Sequence, residues 1–239
     1  MASQKKQSVL NGAVILMVAV VSVKVIGALF KMPLTDMLGT VGRGYFQSAY
    51  EIYTPIFAIS MAGLPVAVSR MVAENVALSK YRDARAVFNV SKRIFLIVGT
   101  VGTLIIFIVA YPYAYFVAGL KSIPAILCVA PSVLFCCYMS AYRGYYEGLR
   151  NMTPTAISQV IEALGKLVIG LLLAKTVMSV GASQYAKGMA ASGNVSATVF
   201  GNQVTSLTEA NSVIVPWAAA GAVLGVTVGS LALPLFLLV

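Results

Sequence analysis

The sequence predicts an all-α integral membrane protein built as a bundle of six transmembrane helices. Three observations carry that prediction. Of 239 residues, 59% are hydrophobic and only 10% charged, whereas an ordinary soluble domain carries about 25% charged residues. The mean hydropathy is +0.90, and a globule of this size cannot bury so much apolar surface away from water. The apolar residues are also gathered into runs that reach the roughly 20 residues a helix needs to cross a bilayer.

The first run, Leu10–Phe30, follows a short polar N-terminus carrying Lys5 and Lys6. It is too long for the apolar part of a signal peptide and no small-x-small cleavage site closes it, so it reads as an uncleaved first span. The second, Phe46–Val72, contains Pro55 and Pro65 well inside it, which predicts a kinked helix whose freed carbonyls are satisfied by neighbours. The third, Ile94–Phe116, ends in Tyr111, Tyr113, Tyr115 and Phe116, an aromatic belt at one interface. The fourth, Ile123–Tyr142, starts with Pro124, where a first-turn proline costs little, and carries Pro131 inside. The fifth is Thr155–Val177 and the sixth Val213–Val239. Between these two, residues 178–212 are rich in Gly, Ala, Ser, Asn and Thr, which predicts a mobile polar loop without a core of its own. Gly221, Gly225 and Gly229 recur every four residues on the sixth helix; such a small-residue stripe lets another helix backbone approach closely. The apolar end at Val239 has no basic or aromatic terminus, which suggests a truncated gene or one half of a larger protein.

Charge sets orientation and narrows function. Placing the N-terminus in the cytoplasm puts ten basic loop residues inside, among them Arg70, Lys80, Arg82, Arg85, Lys92 and Arg93, against five outside. The net charge of +10 is the normal excess of a polytopic membrane protein, and no basic run is interleaved with stacking aromatics, so nucleic acid is not an expected partner. With no histidine and only Cys128, Cys136 and Cys137, most metal and His-dependent catalytic templates are out of reach. No catalytic constellation, metal site or cofactor motif is present, and an enzyme is not expected.

Charged residues inside spans are expensive and are functional candidates. Lys24 lies fourteen residues into the first span, about 21 Å from its start, and Glu51 lies about 8 Å into the second from the outer side. A Lys24–Glu51 pair between adjacent helices is therefore feasible. Glu162 and Lys166 are four apart on the fifth span, on one face and in the favoured order. These charges either neutralise one another between helices or line a hydrated cleft for a charged substrate or a coupling ion. Arg43, between Gly42 and Gly44, is either part of a connecting turn or a backbone-and-guanidinium site for an anion.

Two stretches carry a family resemblance. One runs Lys24-Val-Ile-Gly-Ala-Leu-Phe-Lys31, then Gly44-Tyr-Phe-Gln-Ser-Ala-Tyr-Glu-Ile-Tyr53 and Gly63-Leu-Pro-Val-Ala-Val-Ser-Arg70. The other runs from Tyr142-Arg-Gly through Asn151-Met-Thr-Pro-Thr-Ala to Glu162. Together they resemble the polysaccharide-biosynthesis branch of the multidrug/oligosaccharidyl-lipid/polysaccharide exporter superfamily. Within it, the group of stage V sporulation protein B and the MurJ-like lipid II flippases is most similar. The resemblance covers about residues 8–175 and the last helix.

It implies a transporter of two six-helix lobes facing each other across a cleft, of which this chain is the N-terminal lobe and the C-terminal lobe is absent. The substrate would be an undecaprenyl-diphosphate-linked saccharide, moved across the bacterial cell membrane by alternating access. Lys24 and Lys31 stand where relatives carry basic residues, and so are implied to hold the lipid diphosphate. Arg43 stands where the family pattern has no expected basic residue. Arg143, at the cytoplasmic end of the fourth span, either meets an incoming headgroup or snorkels to anchor its helix. Glu51 and Glu162 are candidate ion-coupling carboxylates. A multidrug/cation antiporter of the same superfamily, and a non-transporting scaffold for cell-wall or spore assembly, are the competing readings. The missing lobe or a second copy of the chain would be the partner.

Overall fold

The structure, a computed structural model, describes residues 9–61, 63–192 and 196–237. Lys5 and Lys6 and the last two residues lie outside the described residues. The architecture is an all-α membrane bundle with one small β-hairpin. Among the described residues, five helical stretches are long and apolar enough to cross a membrane: Leu10–Ala77, Tyr81–Ala118, Leu120–Gly148, Thr153–Ala191 and Leu207–Leu231.

The first stretch takes in both of the first two predicted spans. Helix α1 covers Val9–Met61, and 53 residues in a straight rod would reach about 80 Å. It is not straight. Gly39 has φ 66° and ψ −175°, a backbone region open essentially to glycine alone. Phe30 and Phe46 would stand about 24 Å apart along one helix, yet their ring centroids are 5.7 Å apart. The chain therefore doubles back at Gly39 into two limbs, 9–38 and 40–61.

The expected kinked span 46–72 is a broken one. Gly63 adopts φ 75° and helix α2, Leu64–Ala77, begins beyond it with Pro65 in its first turn. A left-handed glycine followed by a first-turn proline ends one helix and starts another, so Pro65 removes no interior hydrogen bond. Pro55 stays inside α1.

Helix α3 runs Tyr81–Tyr113, starting well before the apolar run at Ile94. Its early turns carry exposed Arg82, Asp83 and Arg85, so the helix continues past the apolar zone into water. After Pro112 the chain winds through a π-turn at Ala114–Ala118 and a 3₁₀ turn at Leu120–Ser122. Helix α4, Ile123–Gly148, follows and lies at the centre: Ala125, Ile126, Val129, Ala130, Val133, Cys137 and Ala141 are fully buried. Near Pro131, the carbonyl of Cys128 accepts the Thr227 hydroxyl at 2.7 Å and that of Ala130 accepts the Thr103 hydroxyl at 3.2 Å. Hydroxyls from two neighbouring helices thus engage the carbonyls beside the proline.

Helix α5 spans Thr153–Ala191. Strands β1, Ala197–Val199, and β2, Asn202–Val204, pair antiparallel with Ala197 opposite Val204. Phe200 (φ 48°) and Gly201 (φ 83°) form their two-residue turn, with φ positive at both positions as tight hairpins favour. Helix α6, Leu207–Leu237, follows. Its first turn is capped: the Glu209 N–H donates to the Ser206 hydroxyl, and the Glu209 carboxylate accepts the Thr205 N–H and hydroxyl, both at 2.8 Å.

The expectation of a mobile loop over 178–212 is therefore corrected. Residues 178–191 continue α5, and residues 196–212 fold over a second small core of Ala197, Val199, Val204, Ala210 and Ile214, packed by Tyr185 and Met189. The small residues that suggested no core are what permits this one. A Cβ on Gly188 would lie 2.6 Å from that of Ala197, and one on Gly181 2.6 Å from Ile214 Cγ1. Glycine lets the hairpin and α6 sit directly against the α5 backbone.

The largest interface joins α5 and α6, and it is a glycine seam. A Cβ on Gly225 would run into the backbone of Gly170; one on Gly229 would lie 3.0 Å from the Lys166 nitrogen, and one on Gly221 3.2 Å from the Leu173 carbonyl oxygen. Gly165 faces Gly229 from the α5 side, at 3.0 Å to its Cα.

Candidate functional site

Lys24 and Lys31 are seven residues apart on the first limb of α1, two turns along one face. Both are exposed. Across from them stand Ala163 and Lys166 of α5, and the three lysines line one groove of about 410 Å³ floored by Gly27 and Phe30. Phe30 is 3% exposed and rests on Phe46 of the second limb, so the reversal at Gly39 fixes the groove wall. No carboxylate lines the groove. Three lysines lining a partly apolar groove make a positive potential that favours an anion.

Lys166 also sits above the Tyr50 ring, 5.5 Å from its centroid. Tyr50 belongs to a row along the second limb, Phe46, Tyr50, Tyr53 and Phe57, with successive centroids 4.8, 5.9 and 5.3 Å apart. This stripe was open to sequence reading, since its spacing of four, three and four residues is the helical period. The row supplies a cation–π partner for one lysine and a stiff back to the site.

Beside the groove runs a polar seam. Among the described residues one ion pair lies within 4 Å: Arg143 Nη2 donates to Glu162 Oε2 at 2.8 Å. Arg143 Nε donates to the Ser158 hydroxyl oxygen at 3.0 Å. Cys136 Sγ approaches Glu162 Oε1 at 4.0 Å, and the Tyr53 hydroxyl donates to Cys136 Sγ at 3.7 Å. The seam links the second limb of α1 to α4 and α5. Arg143 is thus turned inward onto α5, where the sequence suggested either a headgroup contact or an anchor at the membrane surface. Glu162 closes its ion pair across helices to Arg143, and Lys166, one turn further on, faces the groove. The two cross-helix partners are nineteen residues apart, a separation with no periodic signal to reveal it.

The remaining candidates fall elsewhere. Lys24 and Glu51 form no ion pair among the described residues; exposed Glu51 accepts the Tyr113 hydroxyl at 3.1 Å. Arg43 is exposed on the second limb just past the reversal and is not among the residues lining the groove. Gly221, Gly225 and Gly229 lie in the α5–α6 seam, with Gly229 directly behind the turn that carries Glu162 and Lys166. The three cysteines are free thiols, and no group of metal-ligating side chains is present among the described residues.

Residues 9–217 match the family described as polysaccharide biosynthesis protein. The chain is 27% identical over 168 residues to the lipid II flippase MurJ of Bacillus subtilis, covering 66% of this chain and 31% of that protein. It is 26% identical over 163 residues to stage V sporulation protein B of the same organism, covering 68% and 32%. It is 25% identical over 187 residues to the membrane protein YabM, covering 78% and 34%. The chain thus spans about a third of the length of these relatives. No solved structure matches it.

Proposed function

The chain belongs to the polysaccharide biosynthesis protein family, and on that premise we propose that it is the first lobe of a bacterial flippase for a lipid-linked saccharide. The substrate class is an undecaprenyl-diphosphate-linked sugar such as a peptidoglycan precursor. The observation that carries this reading is the groove lined by Lys24, Lys31 and Lys166 with no carboxylate among its lining residues.

A diphosphate brings about two negative charges into a site of low dielectric, and cationic donors there offset its desolvation. Lys24 and Lys31, about 10 Å apart along α1, match a headgroup that lies along the helix rather than a single compact anion. The polyprenyl tail stays in lipid, along the exposed apolar face of the first limb at Val21, Val25 and Leu29. In this reading the two limbs of α1 are separate crossings, the N-terminus is cytoplasmic, and the lobe moves against a second one to change which side the groove faces. Arg43, beyond the Gly39 reversal, then stands at the external mouth. The groove needs no hydrolytic group, so transport draws on the membrane potential, an ion gradient or consumption of the product. The Glu162 carboxylate is neutralised by Arg143, which makes it a positioning group for the α5 turn bearing Lys166 rather than a free ion site. The same lysines disfavour a cation antiporter, whose cleft should present acids.

The test is binding of lipid II to the purified protein, in competition with a lipophilic cation such as tetraphenylphosphonium. Charge-assisted hydrogen bonds contribute about 1.5–3 kcal/mol each, so Lys24→Gln, Lys31→Gln and Lys166→Gln should each weaken lipid II binding about tenfold or more. Wild-type affinity in the triple variant, or displacement by the cation, refutes the assignment.

A further inference from the structure

A second groove, of about 600 Å³, lies between α3 and α4 and is lined by Asn89, Lys92, Arg93, Leu96, Ile97 and Tyr138. We propose that it is a binding site for a lipid-borne phosphate, separate from the lysine groove on α1 and independent of what that groove carries.

The order of residues along α3 suits an amphiphilic ligand. Asn89, then Lys92 and Arg93, then Leu96 and Ile97 recur at helical spacing, so they share one face and change from polar to apolar within about two turns. Leu96 and Ile97 are 47% and 61% exposed, which leaves an apolar track about 6 Å beyond the two cations. A phosphate at Lys92 and Arg93 would leave the acyl chain of the same molecule lying on that track.

The two cations are also unpaired, and Lys92 is held in place. No carboxylate lines the groove, and neither Lys92 nor Arg93 has an acidic partner within 4 Å among the described residues. Lys92 is half-buried, with Nζ 4.6 Å from the centroid of the Phe88 ring. Phe88 is stacked on Tyr145 at 4.4 Å and edge-on to Tyr142 at 5.0 Å, and Tyr142 shares a hydrogen bond of 3.2 Å with Tyr138 in the groove wall. Four aromatic rings on two helices therefore fix one cation beside the groove wall. A basic residue that merely faces water at a membrane surface needs no such support. Basic pockets between membrane helices are a recurrent way of holding anionic headgroups.

Native mass spectrometry of the purified full chain tests this with phosphatidylglycerol, undecaprenyl phosphate and zwitterionic phosphatidylcholine as probes. Lys92→Gln/Arg93→Gln should weaken retention of an anionic lipid about 30-fold, from about 1 kcal/mol per basic residue, and leave phosphatidylcholine unchanged. The charge-matched control Lys80→Gln/Arg82→Gln should bind like wild type, and Leu96→Ser/Ile97→Ser should also weaken retention of the anionic lipids. Preference for phosphatidylglycerol assigns the groove to bulk lipid, and preference for undecaprenyl phosphate assigns it to a carrier lipid; either supports the site. Equal losses in the groove and control variants, or no loss in either, overturn it.

Discussion

Replacing Gly225 by alanine isolates the contribution of the glycine seam. At this position a methyl group would fall on the backbone of Gly170, closer than carbon atoms approach without bonding. The obstacle is helix backbone rather than the end of a flexible side chain, so α5 and α6 must move apart locally by on the order of 1 Å. A gap of that size forfeits roughly a quarter to a half of each dispersion contact, and overpacking of this kind costs about 1–3 kcal/mol. Against this, alanine is about 1 kcal/mol better than glycine inside a helix. The net expectation is a loss of up to about 2 kcal/mol, or up to roughly 8 °C in the midpoint of thermal unfolding for a chain of this length, and about 1–3 kcal/mol relative to a glycine-to-alanine change that meets no obstacle. Gly44 is the control, because nothing lies within 4 Å of a Cβ placed there and only the propensity gain remains. Between them fall Gly229→Ala and Gly221→Ala, with clearances of 3.0 and 3.2 Å. Thermal unfolding of the four variants in one detergent should rank Gly225→Ala as least stable, then Gly229→Ala, Gly221→Ala and Gly44→Ala. A Gly225→Ala protein as stable as Gly44→Ala would refute the reasoning that backbone contact across the seam holds these helices.

Two other perturbations follow from the site and the hairpin. Glu162→Gln leaves Arg143 without its acid; with the two side chains 20% and 23% exposed, the cost should be about 2–3 kcal/mol, below the value for a fully buried pair. The double variant Arg143→Met/Glu162→Leu should be less destabilised than either single change, as a double-mutant cycle of unfolding midpoints will read; additive losses would mean that the pair is not coupled. Val199→Asn places an amide in the fully buried hairpin core, so limited proteolysis should cut between residues 192 and 206 faster while far-ultraviolet circular dichroism stays unchanged. Unaltered cleavage would show that the hairpin does not depend on that core.

The all-α membrane architecture was legible because it rests on composition: runs such as Ile123–Tyr142 are apolar on every side, and that is visible without tertiary information. Where helices pass beyond the apolar zone, the signal stops. The early turns of α3, with Arg82, Asp83 and Arg85, and the end of α5, with Ser183 and Lys187, are polar stretches whose helical state is set by continuity with the span and by packing. The hairpin was hidden for a different reason. Its core is assembled from single residues of α5, β1, β2 and α6, none forming an apolar run. In the candidate site, Lys24 stood out as a charge within an apolar segment, while Lys31, just past the end of that span, was singled out only by the family resemblance. That Lys166 shares their groove, while Glu162 turns to Arg143, depends on how three helices are rotated about their axes, which no local pattern records.

The length of α5 has a mechanical consequence. Its 39 residues measure about 58 Å against a hydrocarbon layer of about 30 Å, so close to half of the rod stands clear of it. The far end is clamped to the hairpin, and the near end carries Glu162 and Lys166. Tilting such a rod by about 10° about a pivot near the bilayer edge swings a free arm of about 28 Å through about 5 Å. A small rotation around the lysine groove is therefore magnified into a displacement of the hairpin on the order of one helical turn. A spin label or fluorophore on Asn202, at the start of β2, would report the tilt of α5.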